Sequence, residues 1–293
     1  MPDPTAPVAA RLEISLWRRT ADHLATLFAV STVIIVLAPL VAIFAYLVIK
    51  GVGSVNWAFL TQTPKPPGEV GGGMANAIAG SVLILTIGSL LGVPLGIGAG
   101  IYLAVFGRNR FGDTVRFVSD VLNGVPSIVI GIVAYALVVL RQKHFSALAG
   151  GVALAIMMVP TITRTTEEML LLVPNTLREA AYGLGIPRWR TMFSITLRTA
   201  TSGVITGVML AFARVAGETA PLLFTAFGNQ YWNWRLDQPT AALPLQIFTY
   251  AISPYDDWHR QAWAGALVLI VLIVSAVAAV RFVVRRGTLG GVV

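Results

Sequence analysis

The chain has 293 residues, of which 56% are hydrophobic and only 12% are charged. Soluble domains carry roughly 25% charged residues, so this composition excludes an ordinary soluble protein and indicates one that lipid solvates. Lys and Arg outnumber Asp and Glu, 21 to 13, and the sequence has no Cys, which excludes disulfides and thiolate metal sites.

Six apolar segments are long enough to cross a bilayer as helices. We predict an all-α, polytopic membrane protein, in which Pro94 bends the second span. The predicted spans are residues 24–49, 74–106, 117–140, 145–173, 199–227 and 262–284.

The basic residues predict an orientation. If both termini are cytoplasmic, the loops on their side hold most of the arginines, as membrane proteins usually arrange them. We therefore expect a multi-pass protein of the cell membrane. Its parts would be a cytoplasmic tail at 1–23, a transmembrane domain at 24–286 and a cytoplasmic tail at 287–293.

Two longer segments, 51–73 and 228–261, fall on the outer side in this arrangement. The second is rich in Trp and Tyr. Such residues are typical of a belt at the membrane interface, and they are also typical of a surface on which a soluble partner docks. The sequence leaves both interpretations open.

No enzyme motif is present. No Lys follows a Gly, so the chain lacks the phosphate-binding loop GxxxxGK[ST]. The histidines, His23, His144 and His259, are not spaced as metal ligands. We expect a chain without its own ATPase site, catalytic residues, metal or cofactor.

The predicted cytoplasmic loop 174–198 contains strong signals for the start and the end of helices. Thr176 and Glu179 have the spacing of a capping box, so Thr176 is predicted to cap a short helix. Gly185 suits the position just after a helix end, and Pro187 stops the helix or begins the next one. The loop is therefore predicted to fold as helix, turn and helix.

The same loop contains the pattern E-A-A-x-x-x-G followed by I-x-L. It resembles the EAA loop of ABC importer permeases, although Arg198 stands where the general pattern has Pro. The resemblance implies a coupling helix that seats on an ATPase subunit. The matching residues are Glu179, Ala180, Ala181, Gly185, Ile195 and Leu197.

Longer stretches resemble phosphate permeases of the PstA family, from about Arg164 to Gly265. They are RTTEEMLLLVPNTLREAAYGLG, ARVAGETAPLLFTAFGNQYW and AISPYDDWHRQAWAG. The resemblance implies the type I importer fold and inorganic phosphate as the transported ion. It also implies three partners: a PstC-like second permease, two PstB-like ATP-binding subunits on the cytoplasmic side and a PstS-like phosphate-binding protein outside. Nucleic acid is not expected as a partner.

Charged residues inside the fifth span mark a candidate substrate path. A charge in the bilayer is expensive and is kept where it faces a partner or a water-filled path. Arg214 and Glu218 are spaced i, i+4, so one helical face would hold both, as a structural pair or as part of the path. A guanidinium matches phosphate oxygens in a planar fork, and Thr219 adds a hydroxyl.

Arg164 is the second candidate. Glu167 and Glu168 follow it at i+3 and i+4. Its side chain would line the path, or it would extend to the inner interface while its stem stays in the apolar layer.

Two alternatives stay open from the residues. One is a permease for another oxyanion, such as sulfate or molybdate. The other is a secondary transporter or channel, which would work without ATPase partners and would not require the coupling loop.

Overall fold

The computed structural model describes residues 16–289, which form thirteen α-helices and two π-helical segments, Tyr135–Val139 and Met192–Thr196. The predicted all-α class is confirmed. Most of the predicted N-terminal tail lies outside the described residues. In chain order the helices are α1 (Leu16–Val52), α2 (Trp57–Thr61), α3 (Ala75–Phe106), α4 (Arg110–Gly124), α5 (Ser127–Ala134), α6 (Leu140–Gln142), α7 (Ala147–Leu171), α8 (Asn175–Gly183), α9 (Arg188–Thr191), α10 (Leu197–Ala216), α11 (Ala220–Leu223), α12 (Leu243–Ala251) and α13 (Asp256–Leu289).

The first helix forms a unit by itself. Residues up to Ile49 group together, and residues from Lys50 onward form the second unit. From Leu24 to Ile49 the side chains of α1 are almost all apolar and exposed, with Phe28 74% and Ile35 70% exposed. A helix that is apolar all round suits lipid as its solvent. It begins at Leu16, inside the predicted tail 1–23.

The number of spans agrees with the prediction. Five helices are long and apolar enough to cross a membrane, and a bent pair raises the number to six within the described residues. The fifth predicted span, 199–227, overlaps the continuous helix Arg188–Ala216, which joins α9, the π segment and α10 and which begins and ends earlier than predicted.

The third span is broken, so the prediction of one helix over 117–140 is wrong. The segments Arg110–Gly124 and Ser127–Gln142 meet at 110°. Val125 and Pro126 between them have extended ψ angles of 133° and 136°. Since Pro126 has no backbone N–H to donate and restricts the residue before it, a helix is expected to end here.

Helix α3 packs on α7 through a row of glycines. A Cβ added at Gly96 would lie 2.7 Å from the Cβ of Ile162, and one at Gly100 would lie 2.5 Å from the Cβ of Thr166. Residue numbers rise together along the two helices, so α3 and α7 run parallel. Small residues allow such close approach, which is how membrane helices gain packing energy. The row comprises Gly88, Gly92, Gly96 and Gly100.

Helix α10 packs on α7 in the opposite direction and also contacts α3. Gly203 lies against Met169, and Gly207 lies against Thr165. Buried apolar side chains from α3, α5, α7, α10 and α11 meet in one core that includes Ile130, Met158 and Val215. Helix α7 is the centre of the second unit.

The segment after α11 forms a second, smaller core with the loop before α3. Phe59, Met74 and Tyr250 are almost fully buried there. The ring of Tyr250 stacks on Trp258 at 4.3 Å between centroids. Burial raises the pKa of Tyr250, a hydrogen bond with Gln246 opposes the shift, and the charge of Asp257 adds to it.

Candidate functional site

Two breaks in helices lie next to each other in the second unit. One is the bend at 125–126, and the other is the non-helical stretch 217–219 between α10 and α11. The segments that follow the breaks touch, since a Cβ on Gly131 of α5 would lie 2.7 Å from the Cα of Pro221 in α11. Broken helices at membrane depth leave backbone groups without helical partners. They are tolerated where protein buries them or where they line a water-filled cavity.

Both breaks lie close to the middle of the span formed by α7. Gly207 lies against Thr165, and continuing this antiparallel register places Arg214 level with Met158. Before the other break, Thr161 donates a hydrogen bond to Asn123 at 2.8 Å. The middle of Ala147–Leu171 lies between Met158 and Thr161, so the breaks fall where a transport path is narrowest in many membrane transporters.

Arg214 lies in the last turn of α10 and is exposed on the surface of the chain. Within residues 16–289, no ion pair includes it. A charged side chain that points away from its own chain at this depth requires a partner protein or water.

Glu218 does not share a helical face with Arg214, so the i, i+4 prediction is wrong. Helix α10 ends at Ala216, and the N–H of Glu218 donates to the carbonyl oxygen of Val215 at 3.2 Å, as a turn does. Thr219 precedes α11 as its N-cap residue, without a side-chain capping bond. Gly217 follows the helix as its C-cap residue with φ −96°.

Arg164 is held between two carboxylates. Its Nη1 lies 2.9 Å from Oε2 of Glu167, and its Nε lies 2.9 Å from Oδ1 of Asp120 in α4. The pairing with Glu167 agrees with the predicted i+3 spacing, whereas Glu168 is exposed. The second carboxylate, Asp120, belongs to another helix. The spacing of residues within the span of Arg164 could not indicate this partner.

The network continues to Arg116, whose Nε donates to Oε1 of Glu167 at 2.7 Å. Arg116 also donates to Oδ1 of Asp113 at 3.0 Å and to the carbonyl oxygen of Gly107 at 2.8 Å. Glu167 is therefore bonded by two guanidinium groups, although only 3% of its side chain is exposed. Buried charges persist when they are paired in this way.

Sequence reasoning missed the seam between α4 and α7, although a signal existed. Arg116, Asp120 and Asn123 are spaced i, i+4, i+7, which places them on one helical face. On α7 they meet Glu167, Arg164 and Thr161 in reverse order. Polar residues that recur on one face of an apolar span indicate a buried partner with matching polarity.

The predicted coupling loop folds as helix, turn and helix, with one correction at its start. Helix α8 begins at Asn175 with Pro174 as N-cap and no side-chain capping bond. Thr176 is therefore inside the helix, and the capping box with Glu179 does not form. Pro174 takes that place because its missing N–H is no loss at a helix start.

The end of α8 agrees with the prediction. Gly185 has φ +74°, its N–H donates to the carbonyl oxygen of Tyr182 at 2.9 Å, and the N–H of Ile186 donates to that of Ala181 at 3.1 Å. These two backbone hydrogen bonds form a Schellman motif, in which Gly is favoured at the residue with a left-handed backbone. Ala181 is buried, while Thr176, Glu179 and Ala180 are exposed.

An ion pair lies within the aromatic segment 228–261. Arg235 donates from Nε and Nη2 to the two carboxyl oxygens of Asp237, at 3.0 and 2.8 Å. This hydrogen bonding lowers the pKa of Asp237. Trp232 and Trp234 stack beside it at 5.8 Å between ring centroids and stay largely exposed.

These features define a class of protein: a helical membrane permease in which two helices are broken near the middle of the bundle. Residues 92–288 match the model of the family described as "Binding-protein-dependent transport system inner membrane component". The phosphate transport system permease protein PstA of Yersinia pestis is 46% identical over 280 residues, which cover 94% of this chain and 95% of that protein. PstA of Haemophilus influenzae is 46% identical over 258 residues, covering 88% and 91%.

A more distant relative, PstA of Mycobacterium leprae, is 37% identical over 281 residues and covers 93% of this chain and 92% of that protein. The chain belongs to the PstA family of permeases. Its fold is also similar to a chain of the inward-facing MetNI methionine ABC transporter. That match has a TM-score of 0.54 and 18% identity and covers 70% of this chain and 91% of the other.

Proposed function

We propose that this chain is the transmembrane permease subunit of an ATP-driven importer of inorganic phosphate. The observation that carries the proposal is an exposed, unpaired Arg214 at the broken centre of a permease of the PstA family. The chain moves the ion and leaves its bonds intact, and the assembled transporter supplies the ATPase.

Arg214 is the proposed phosphate contact. Its guanidinium presents parallel N–H donors that match two phosphate oxygens. Because the side chain faces away from its own helix bundle, the path lies between this chain and a second, PstC-like permease. Thr219, at the following break, adds a hydroxyl donor, and Glu218 supplies a negative charge that limits how tightly the anion is held, since conduction needs sites that release the ion.

Arg164 has a different role in this proposal. Its charge is already opposed by Asp120 and Glu167, and the whole network contains two arginines and three carboxylates. An incoming phosphate would have to displace a carboxylate of the same sign. Arg164 therefore holds α4 against α7 beside the path and does not bind the ion directly.

The loop 174–198 is proposed to transmit ATP-driven motion. The exposed residues Thr176, Glu179 and Ala180 face outward from α8, while Ala181 and the turn at Gly185 fix the helix on the bundle. Two PstB-like ATP-binding subunits would hold α8 from the cytoplasm. A PstS-like phosphate-binding protein would deliver the ion to the opposite side, where segments 51–73 and 228–261 lie.

This topology puts both termini in the cytoplasm, with the transmembrane domain at 24–286. It is testable because the natural chain has no cysteine. A single cysteine introduced as Gly53→Cys should react with a membrane-impermeant maleimide added to intact cells. Gly183→Cys should react only after permeabilisation, and both glycines have open space around a new Cβ. The reverse pattern would refute the orientation.

The function is tested by uptake into proteoliposomes. They would hold this chain, the second permease and the ATPase, with ATP inside and the phosphate-binding protein outside. Labelled phosphate should accumulate only with ATP, and excess sulfate or molybdate should not compete. Accumulation without ATP or ATPase would indicate a secondary transporter or channel, and strong competition by sulfate or molybdate would indicate another oxyanion.

A further inference from the structure

A basic groove lies at one end of the bundle, away from the broken centre. Its volume is about 470 Å³, and it lies where α3 and α7 end and α8 to α10 begin. Its walls combine apolar and cationic side chains, which include Phe106, Arg108, Leu171, Arg178, Arg188 and Met192.

The three arginines of the groove lack acidic partners. In the part of the chain that the structure describes, no ion pair includes Arg108, Arg178 or Arg188. Arg178 donates from Nη2 to the carbonyl oxygen of Leu170 at 2.7 Å, which fixes its guanidinium at the groove wall. Its Nε is buried and has no hydrogen-bond acceptor. Guanidinium groups that no carboxylate opposes can form charge-assisted hydrogen bonds with an anion, so the groove suits an anionic ligand.

The position of the groove identifies the kind of anion. Phe106 and Leu171 are the last residues of two membrane-spanning helices, so the groove lies at the boundary between the apolar layer and water. The apolar wall can contact the first carbons of an acyl chain while the arginines contact a phosphate. Basic pockets between spans at this depth suit lipid headgroups.

We propose that this groove binds the phosphate of an anionic phospholipid, such as phosphatidylglycerol. The lipid phosphate accepts from the guanidinium groups of Arg178 and Arg188, both of which line the groove, and Arg108 closes the groove from the end of α3. Because Arg178 belongs to α8, the bound lipid braces the start of the coupling loop. This site is separate from the transported ion and does not depend on which ion that is.

The test compares two arginines of the same short helix. Both Arg188 and Arg190 are exposed, but only Arg188 lines the groove. Native mass spectrometry of the full chain, purified in detergent, would measure binding of phosphatidylglycerol and of phosphatidylcholine. We expect phosphatidylglycerol to bind preferentially, and Arg188→Gln to weaken it about tenfold, as expected for one charge-assisted hydrogen bond. Arg190→Gln should leave it unchanged.

Three outcomes would overturn the proposal. Equal binding of the two lipids would show no anion site, and equal weakening by Arg190→Gln would show only a diffuse surface charge. Displacement of the lipid by an equal concentration of inorganic phosphate would assign the groove to the free anion. Arg178→Gln gives a second measurement, and its thermal unfolding temperature shows whether it folds like the natural chain.

Discussion

Arg116 and Glu167 join two helices across the buried seam of the bundle, with Nε of Arg116 2.7 Å from Oε1 of Glu167. Arg164 bonds the other carboxyl oxygen of Glu167. One carboxylate therefore satisfies guanidinium groups from both α4 and α7. This relationship holds α4, the first half of the broken third span, against α7.

Replacing this carboxylate should strongly destabilise the chain. Glu167→Gln keeps the size of the side chain but leaves two arginines with a neutral partner. Removing one member of a buried ion pair costs about 3–5 kcal/mol. Thermal unfolding of the purified chain in detergent measures the loss. Glu168→Gln is the matched control, because its side chain is exposed one position further along α7; equal effects of the two changes would contradict a buried network.

A second prediction concerns the glycine row of α3. Gly96→Ala would place a methyl group 2.7 Å from Cβ of Ile162, whose branched side chain cannot move aside easily. Overpacking of this kind costs about 1–3 kcal/mol. The free energy of unfolding should fall for this variant.

Gly98→Ala provides the control on the same helix. Nothing lies within 4 Å of a Cβ at this exposed position, and Ala favours a helix over Gly by up to about 1 kcal/mol. The Gly98 variant should be as stable as the natural chain or more so. If both variants behaved alike, α3 and α7 would not be packed as closely as the structure shows.

The extent to which sequence predicted this structure depended on the range of the interactions. Apolar length is a local property, and it predicted the number of spans. The turn at Gly185 was predictable because a Gly followed closely by a Pro marks the end of a helix, and this signal lies within a few residues. The start of α8 was harder to predict, because Thr176 and Pro174 both suit a helix start. In the structure Pro174 is the N-cap residue.

The remaining features depend on contacts between distant segments. Arg116 and Asp120 lie in α4, far along the chain from Glu167 and Arg164, and nothing within residues 164–168 indicates them. The interruption after Ala216 was hidden because the run from Thr199 to Phe227 is long and mostly apolar, with Arg214 and Glu218 as its only charged residues. Gly217 and Pro221 were the available signals, and they mark the break and the first turn of α11.

The turn at the end of α8 leads to a prediction about energy coupling. Gly185→Ala forces a side chain into φ +74°, which costs about 1–2 kcal/mol. The turn should shift, α8 should lose its fixed position, and ATP-driven phosphate uptake should fall about fivefold or more.

The control for this change is two residues away. Gly183 also has open space around a new Cβ, but its φ is not positive. Gly183→Ala should leave uptake intact in the same proteoliposome assay. A loss of uptake in both variants would indicate that any added methyl group disturbs the contact with the ATPase, and that the geometry of the turn is not the cause.

The most direct test of the central claim is ATP-driven phosphate uptake by Arg214→Lys. Lysine keeps the positive charge but loses the planar fork that bonds two phosphate oxygens, so uptake should fall at least about tenfold while stability and assembly with the second permease stay unchanged. Arg110→Lys, an exposed arginine at the start of α4, should transport normally. Uptake by Arg214→Lys equal to that of the natural chain would contradict bidentate recognition of phosphate at the broken centre.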